Sequence, residues 1–525
     1  MNKIQVFFSQ LIEKIENSKV PIGNYILTFI FIILIRCFFE LISSASYFPL
    51  STALHFIVFT ISVCLSLIVL FTFFSKTPVI KVAKIVLIGF VILIFPPLFD
   101  LLFSLGNKTV MGYNLLNLEI NPFLSFITFF GKYDKIGITL GIKIEICLVL
   151  FFSFLYFYYK TNFLKALLSV FVEYIVLFLF LSTPFLLKPF YSIFRLYIDY
   201  PFHDLDYDFV YVFSFLSLLF LCYIFYKTNK QYFFAIIKDI RLERTLHYIF
   251  VFILGIVIAR KILFSPFVYN TISFWGFIFS IISIIFAWLF SVITNNIVDL
   301  KIDKISNPLR PSVQKIIPIK KYNQLAVLFL FLSIYTAAIV SWKFVFLVSI
   351  FIGGYYLYSI PPLRLKRVLL FSKFIIGFNS LIIFVYGYEY FTLFSTAIKE
   401  PGNNNIFLIN FPISMYVVFL IGFSLCSNLI DIKDYEGDKH AKITTLPGVL
   451  GFRLSKIITG VFFLLFYLLL YFKIPKLEYY IPLCFIGLFQ LFLFIRKKHN
   501  EKLIFLAYLF SLIIVIIYFY NDKVF

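Results

Sequence analysis

Stretches of about 20 consecutive apolar residues recur along the whole chain and are separated by short polar segments; YILTFIFIILI, from Tyr25, begins the first. A helix needs about 20 such residues to cross a bilayer, and lipid permits only structures that satisfy their own backbone hydrogen bonds. The chain is 62% hydrophobic and 14% charged, against about 45–50% and 25% in soluble domains. Ten-residue alternating strands of a barrel are absent. The sequence predicts an all-α, polytopic transmembrane helical bundle.

The apolar runs fall into two sets. The first set predicts six spans, at 22–43, 50–75, 80–104, 136–159, 163–186 and 207–226, and a shorter run at 121–131 fits a re-entrant segment. The second set predicts nine spans, at 246–264, 272–294, 323–341, 344–360, 370–389, 406–429, 455–472, 479–495 and 503–520. The polar stretch 227–248 separates the sets. We therefore predict an N-terminal membrane domain of unknown role, 1–235, and a second domain, 236–525.

The net charge of +21 comes from Lys and Arg residues that lie in short loops between apolar runs. This distribution argues against a nucleic-acid partner and matches the excess of basic residues in cytoplasmic loops of membrane proteins. With a cytoplasmic N-terminus, whose Glu13 and Glu16 interrupt any signal-peptide pattern, the span count places the most basic loops on the cytoplasmic side. We predict a multi-pass protein of the cytoplasmic membrane, with loops 295–321, 361–373, 431–456 and 496–502 facing the cytoplasm.

Two Asp-rich stripes follow apolar runs on this same side. In NNIVDLKIDKISNPLRP (295–311) the polar residues recur every fourth position, and in SNLIDIKDYEGDKHAKITTLP (427–447) they are three and four apart. Residues at these spacings share one helix face. The stripes consist of Asn295, Asp299 and Asp303 in the first segment and Asp431, Asp434 and Asp438 in the second.

Clustered carboxylates repel one another and are costly to desolvate at a membrane boundary, so the stripes predict a bound cation. Their ligand atoms are all oxygens, which favours Mg²⁺ or Mn²⁺ over zinc. Mg²⁺ usually keeps coordination positions for substrate phosphates. A phosphorylated or diphosphate substrate is therefore expected. The alternative is a solvated helix end, in which Lys301 and Lys433 pair with the Asp residues.

Basic side chains follow on the same predicted side. They are Arg310 and, in YSIPPLRLKR (358–367), Arg364, Lys366 and Arg367. Arg forks and Lys point charges suit diphosphate oxygens, although each could equally anchor a loop. An aromatic-rich bundle beneath them would hold a lipid tail, and aromatic faces stabilise carbocations by cation–π attraction.

With these motifs in view, the chain resembles the UbiA superfamily of intramembrane prenyltransferases. The segment N-N-I-V-D-L-K-I-D is similar to the family's NDxxDxxxD motif, and D-I-K-D-Y-E-G-D with its trailing TTLP is similar to the second motif. YSIPPLRLKR resembles the segment between them. The resemblance covers about residues 240–525.

The resemblance implies a nine-helix bundle that binds Mg²⁺ and the diphosphate of an allylic polyprenyl donor and transfers the prenyl group to an aromatic or lipid acceptor. Carried over by position, the metal ligands are Asn295, Asp299, Asp303, Asp434 and Asp438. The catalytic candidates are Asp431, as a ligand or a base orienting the acceptor, and Lys366, which also holds diphosphate. The remaining substrate contacts are Arg310, Arg364, Tyr358, Ser359 and Asn296.

One position departs from the family pattern, which has Asp where this chain has Asn296. This substitution lowers the charge of the site. Two functions other than prenyl transfer also stay open, and Asn296 with the unexplained N-terminal half bears on the second of them. One is a terpene cyclase on the same scaffold, in which the cation closes on itself without an acceptor. The other is a non-catalytic lipid-binding or transport protein that retains the diphosphate site.

The N-terminal half contains further charges inside predicted spans. Arg36 and Glu40 are four residues apart, as expected for a structural pair on one helix face. Asp100, Lys143 with Glu145, and Glu173 are candidates for a second site, because ionisable residues within spans commonly have functional roles.

Overall fold

The structure is a computed structural model that describes residues 3–43, 50–106, 121–131, 138–193, 205–395, 408, 410–441, 443–496 and 500–521. Helices form nearly all of these ranges, and within them an isolated bridge between Phe267 and Ser395 is the one β-type pairing. The all-α prediction is confirmed.

Contacts between Cα atoms divide the chain into two units, one of residues 1–230 with 270–272 and one of 231–269 with 273–525. The division after residue 230 falls at the start of the helix Lys230–Asp239, which includes the predicted boundary at 235. The separate roles of the two units stay a prediction. The N-terminal unit contains α1 Lys3–Asn17, α2 Ile22–Ser43, α3 Leu50–Ser75, α4 Val79–Gly89, α5 Pro96–Phe103, α6 Pro122–Ile127, α7 Leu140–Lys160, α8 Phe163–Leu181, α9 Thr183–Ile193 and α10 Leu205–Thr228.

The C-terminal unit holds the remaining helices. These are α11 Lys230–Asp239, α12 Leu242–Leu263, α13 Thr271–Val298, α14 Leu300–Ser306, α15 Ile319–Val340, α16 Trp342–Ser359, α17 Leu369–Leu393, α18 Ile413–Cys426, α19 Leu429–His440, α20 Leu446–Leu450, α21 Phe452–Leu469, α22 Leu477–Ile495 and α23 Glu501–Asn521. The first residue of α11, the residue before α13 and the first two residues of α13 group with the N-terminal unit.

Among the described residues, 14 helical segments are long and apolar enough to cross a membrane, and a bent pair makes a fifteenth. Six of them lie before residue 230 and nine after it, as predicted. Many of their large apolar side chains face outward, among them Phe31 and Phe73, each 66% exposed. Such a surface suits lipid and would be unusual on a soluble protein. The protein is therefore a multi-pass membrane protein.

Two predicted spans are not straight helices. The span at 80–104 consists of α4, a short 3₁₀ stretch at Phe90–Ile94, and α5, which begins at Pro96 and Pro97. Proline cannot donate to the preceding turn, so the helix breaks here. The span predicted at 406–429 is instead the pair α18 and α19, bent by 41°. The bend separates the second Asp-rich stripe from the apolar helix before it. The run at 121–131 contains only the short helix α6.

Close packing of α12 against α17 forms the centre of the C-terminal unit. A Cβ atom added at Gly255 would lie 2.1 Å from the Phe384 carbonyl oxygen, and one at Gly387 would lie 1.9 Å from the Phe252 carbonyl oxygen. The two backbones touch because both positions lack a side chain, as is common where membrane helices cross. This contact fixes the helices that carry several of the aromatic residues described below.

Candidate functional site

The two Asp-rich segments line one cavity of about 150 Å³ in the C-terminal unit. All six stripe residues contribute to its wall, although the two segments are separated by more than 100 positions in the sequence. Four basic residues line the same cavity: Arg241, Arg244, Arg310 and Lys366. The cavity thus combines many acidic and basic groups at the end of an apolar bundle.

The first segment crosses a helix break without losing its periodicity. Helix α13 ends at Val298, and Asp299 is the residue between it and α14. Backbone hydrogen bonds of the i→i−4 type nevertheless continue, from Asp299 N to Asn295 O at 2.8 Å and from Asp303 N to Asp299 O at 2.9 Å. The stripe keeps its alignment for this reason, and Asn295, Asp299 and Asp303 all reach the cavity.

Polar contacts between α14 and α19 hold the two segments together. Asn307 Nδ2 donates to Asp434 Oδ1 at 3.0 Å and to Asp303 Oδ1 at 3.3 Å, so one amide bridges both stripes. The backbone N–H of Gly437 donates to Ser306 Oγ at 3.0 Å. These residues lie within ISNPLRP and DYEGD, but their contact could not be predicted because neither sequence indicates its partner.

Each of three carboxylates in the cavity is paired with a basic side chain. Asp299 accepts from Arg364 Nη2 at 2.7 Å and is also paired with Lys366. Asp303 is paired with Arg310. Asp431 Oδ1 accepts from Lys373 Nζ at 2.5 Å, and Lys373 was not a candidate from the sequence.

Asp431 has one oxygen that is not engaged by this pairing. Its Oδ2 atom is buried and has no hydrogen-bond partner among the described residues. A buried carboxylate oxygen is costly to leave unsatisfied. The Oδ2 atom is thus the part of this residue that remains available to a ligand in the cavity.

The electrostatics of the site reflect its burial. Burial raises the pKa of Asp303; the charge and hydrogen bond of Arg310 oppose that rise, and the neighbouring Asp299 and Asp434 charges add to it. Burial also lowers the pKa of Arg241 to about 9, with further lowering by Arg310 and Arg244. Arg241 therefore remains a cation at neutral pH. The carboxylates and guanidinium groups are close enough to influence one another.

Asn296, a predicted substrate contact, lies outside the lining of the cavity. It is fully buried, and its Nδ2 donates to Asp239 Oδ1 at 3.1 Å and to the Tyr322 hydroxyl at 3.0 Å. Its Oδ1 accepts from Arg241 Nη2 at 2.6 Å. Asp239 supplies a carboxylate directly beside the amide. The family pattern has a carboxylate at position 296, and in this chain the carboxylate of Asp239, on α11, lies next to that position.

The other candidates differ in their access to the cavity. Tyr358 and Ser359 both line it, and Ser359 Oγ donates to Asn295 Oδ1 at 3.0 Å. Arg364 does not line it and acts there only through its ion pair with Asp299. The serine orients a predicted metal ligand, so a direct substrate contact is not needed to explain its position.

Aromatic side chains form the deeper wall. The ring centroids of Tyr248 and Trp288 are 5.2 Å apart, and those of Trp288 and Tyr355 are 5.6 Å apart. His247 links two further helices, through hydrogen bonds of 2.9 Å to Ser380 Oγ and to the Tyr508 hydroxyl. These residues come from widely spaced positions with no common motif, so no sequence pattern indicates that they share a cavity.

The donor set suits a hard divalent cation. It consists of carboxylate and amide oxygens from two facing segments, as Mg²⁺ requires. Within the described ranges, no three His, Cys, Asp or Glu side chains converge on a metal position as they stand. The carboxylates are held apart by the ion pairs described above, so a cation would bind as those pairs open. The site assignments themselves stay predictions.

The close approach at Gly437 gives a first test of this geometry. A Cβ atom there would lie 2.2 Å from Ser306 Oγ and 3.0 Å from the Ile302 carbonyl oxygen, whereas one at Gly353 would meet nothing within 4 Å. We expect Gly437→Ala to destabilise the protein by about 1–3 kcal/mol through overpacking. Gly353→Ala, also within a helix, should be neutral or stabilising by up to about 1 kcal/mol. Thermal unfolding in detergent measures both, and equal effects would contradict the proposed contact.

The Asn296–Asp239 pair gives a second test. Asn296→Asp places two carboxylates against each other and removes two donated hydrogen bonds, so we expect a loss of about 1–3 kcal/mol. Asp239→Asn in the same protein restores a donor opposite the new carboxylate and should recover a large part of that loss. A double-mutant cycle measured by thermal unfolding should give a coupling of about 1 kcal/mol or more. Additive effects would mean that the two side chains do not form a unit.

Comparison with known proteins places this site in a family. The model of the UbiA prenyltransferase family matches residues 248–520, just over half of the chain. "Probable homogentisate phytyltransferase 2, chloroplastic" of Oryza sativa subsp. japonica is 27% identical over 202 residues. That match covers 38% of this chain, and the chain spans only about half (51%) of the relative's length.

Solved structures with a similar fold are UbiA homologues. One from Archaeoglobus fulgidus, bound to GPP and Mg²⁺, has 17% identity and a TM-score of 0.41, and covers 55% of this chain and 98% of its own. One from Aeropyrum pernix K1 has 15% identity and a TM-score of 0.38, and covers 52% and 95%. The family match includes both Asp-rich segments and the segment between them. The chain belongs to the UbiA prenyltransferase family.

Proposed function

We propose that the protein is a Mg²⁺-dependent intramembrane prenyltransferase, which moves a polyprenyl group from an allylic diphosphate to an aromatic or lipid acceptor and releases diphosphate. One observation carries the proposal: two Asp-rich segments face each other across a cavity that also contains basic and aromatic side chains. Family membership supports the same reaction. The phytyltransferase name of the rice relative favours an aromatic acceptor.

The basic residues would bind the diphosphate. Arg310 and Lys366 each neutralise one Asp in the described arrangement, and a diphosphate offers them stronger bidentate and charge-assisted partners. Their departure would free Asp303 and the Oδ2 atom of Asp299 to hold Mg²⁺ together with Asn295, Asp434 and Asp438, while Arg364 keeps the Oδ1 atom of Asp299. The bound cation supplies Lewis-acid stabilisation of the leaving group; Mn²⁺ has the same ligand preference.

The first chemical step breaks the C1–O bond of the donor, and the electron pair leaves with the diphosphate. Negative charge develops on the bridging oxygen, where the side chains of Arg241, Arg310 and Lys366 can stabilise it. Positive charge develops on the allylic carbon chain. The faces of Tyr248, Trp288 and Tyr355 line the cavity, and aromatic faces attract such a cation while they keep water away.

The second step forms a bond from an acceptor carbon or oxygen to the allylic carbon, after which the acceptor loses a proton. The free Oδ2 atom of Asp431 is the best placed acceptor of that proton. Lys373 holds the other oxygen of this carboxylate and fixes its orientation. Lys366 acts on the diphosphate in this scheme as a cation and transfers no proton.

A matched pair of variants on α19 tests the proposal. Asp434 lines the cavity, whereas Glu436, two residues later, is exposed. We expect Asp434→Asn to lower diphosphate release by about 100-fold or more, as when a group that stabilises developing charge is removed. Glu436→Gln should leave it unchanged. Purified protein is incubated with Mg²⁺, labelled geranylgeranyl diphosphate and a membrane extract that supplies acceptors.

The products of this assay distinguish the alternatives. A labelled product whose mass equals donor plus acceptor minus diphosphoric acid supports transfer. A labelled hydrocarbon formed without the extract would instead indicate a cyclase. If the wild type and the Asp434→Asn variant release no diphosphate with any acceptor pool, while both bind labelled donor, the non-catalytic lipid-binding alternative is correct.

We also propose that the site opens at the cytoplasmic face of the cytoplasmic membrane, because its loops are the most basic ones. Lys304 is exposed on α14, and Phe264 is 69% exposed at the far end of α12. We expect a membrane-impermeant maleimide to label Lys304→Cys in inside-out vesicles but not in intact cells. Phe264→Cys should show the opposite result, with the wild-type protein as background. Reversed labelling would mean that the topology is inverted.

A further inference from the structure

A second and larger cavity, of about 880 Å³, lies entirely within the N-terminal unit. Its wall is formed by residues of α1, α2, α3, α4, α7, α8 and the start of α10, and is made mostly of Phe, Leu, Ile and Val side chains. Its volume falls in the range of about 300–1,000 Å³ that is usual for small-molecule sites. The cavity is large enough for a lipid-sized ligand and offers it an apolar surface.

The ionisable groups of this wall gather toward one side. Arg36 and Glu40 lie in the last turns of α2, His55 is near the start of α3, and Glu145 is near the start of α7. Successive spans run in opposite directions, so the end of α2 and the beginnings of α3 and α7 lie on the same side of the unit. The Glu145 carboxyl is also within electrostatic range of Arg36.

The basic member of this group is paired within its own helix. Arg36 Nη1 donates to Glu40 Oε2 at 2.5 Å, and both side chains are buried. Among the described residues, the wall contains three glutamates but only this one arginine. The polar side therefore has more carboxyl groups than basic groups.

Glu173 has one carboxyl oxygen that could accept a hydrogen bond from a ligand. It is fully buried near the middle of α8, and its Oε1 accepts from Ser153 Oγ at 2.8 Å. Its Oε2 has no hydrogen-bond partner among the described residues. A carboxyl within a bilayer is costly and is usually retained for a functional reason. A ligand that donates a hydrogen bond would satisfy this oxygen.

The opposite side of the cavity is closed by α1. Phe8, Ile12 and Ile15 of this helix line the cavity. Its polar side is anchored to neighbouring spans, as Lys160 pairs with Glu16 at 2.8 Å and Lys84 Nζ donates to the Glu16 carbonyl oxygen at 2.8 Å. This side is closed and apolar, which suits the end of a hydrocarbon chain.

We propose that this cavity binds a long-chain amphiphile whose polar group is a hydroxyl or an amine. The chain extends toward α1, and the polar group donates to Glu173 and Glu145 beside the Arg36–Glu40 pair. A phosphorylated lipid is disfavoured, because its charge would meet three carboxyl groups and a single arginine that is already paired. The inference is independent of the prenyl-transfer reaction.

Photolabelling of the purified full-length protein tests this inference. The probe is hexadecanol with a diazirine near the end of its chain, and the comparison probes are hexadecylamine and hexadecyl phosphate with the same diazirine. We expect the alcohol or the amine to label peptides of α1 and α3 in a saturable way, and unlabelled hexadecanol or hexadecylamine to compete. Hexadecyl phosphate should neither label these peptides saturably nor compete.

Two substitutions on α8 serve as a matched pair. Leu177 lines the cavity and is 9% exposed, whereas Leu168 faces outward and is 55% exposed. Leu177→Trp should fill the cavity and reduce saturable labelling by about tenfold or more, and Leu168→Trp should leave it unchanged. Glu173→Leu should weaken labelling by the alcohol without lowering the unfolding temperature, since it removes a buried unsatisfied oxygen.

Several outcomes would overturn the inference. Saturable labelling by hexadecyl phosphate at the same peptides would mean that the polar group is assigned wrongly. Unchanged labelling in a folded Leu177→Trp variant, together with unchanged labelling in Glu173→Leu, would mean that the ligand does not occupy the cavity. Absence of saturable labelling by both alcohol and amine would exclude the site.

Discussion

The contact between α14 and α19 is the interaction on which the candidate site depends. It brings together carboxylates that would repel one another strongly in an apolar surrounding. The structure reduces this cost by pairing Asp299, Asp303 and Asp431 with basic side chains. Asn307 and Gly437 then hold the two segments in register through hydrogen bonds from uncharged donors. Loss of these hydrogen bonds would move the charged side chains, whereas removal of one charged side chain would leave its partner buried without a counter-charge.

The ion pairs also explain how the same residues can be stable in the site without ligand and in the site with diphosphate and metal bound. In the described arrangement the carboxylates and the basic groups satisfy each other. A diphosphate with its metal would contribute an anion and a cation, so both sides of the Arg310–Asp303 and Lys366–Asp299 pairs, which line the cavity, could exchange their partners. Buried pairs that only stabilise a fold are often replaceable by apolar residues. Their concentration at one cavity is therefore better explained by ligand exchange than by stability.

The sequence predicted the elements that depend on local pattern. Runs of apolar residues gave the helices, and the four-residue spacing of Asp299 and Asp303 gave the shared face, since both follow from helix geometry alone. It did not predict the bend before Asp431, because the two polar residues at the break, Ser427 and Asn428, are of types that also occur within straight helices. It also could not predict that Asp239 would lie beside Asn296. That pairing depends on how α11 packs against α13, which no spacing within either helix encodes. The aromatic wall was missed for the same reason, as residues 248, 288 and 355 meet only in three dimensions.

The two cavities described above differ in how their buried charges are paired. In the C-terminal unit three of the Asp residues that line the cavity are paired with Arg or Lys residues, and Arg310 and Lys366 line the same cavity, so an anion with its accompanying cation could replace the Arg310–Asp303 and Lys366–Asp299 pairs. In the N-terminal unit three glutamates share one arginine, and Glu173 keeps an unsatisfied oxygen. A hydroxyl or an amine that donates to this Glu173 oxygen would be stabilised there. We therefore propose a diphosphate donor for the C-terminal cavity, where several basic side chains reach the wall, and an alcohol or amine for the N-terminal cavity, where the arginine of the described wall is paired with Glu40.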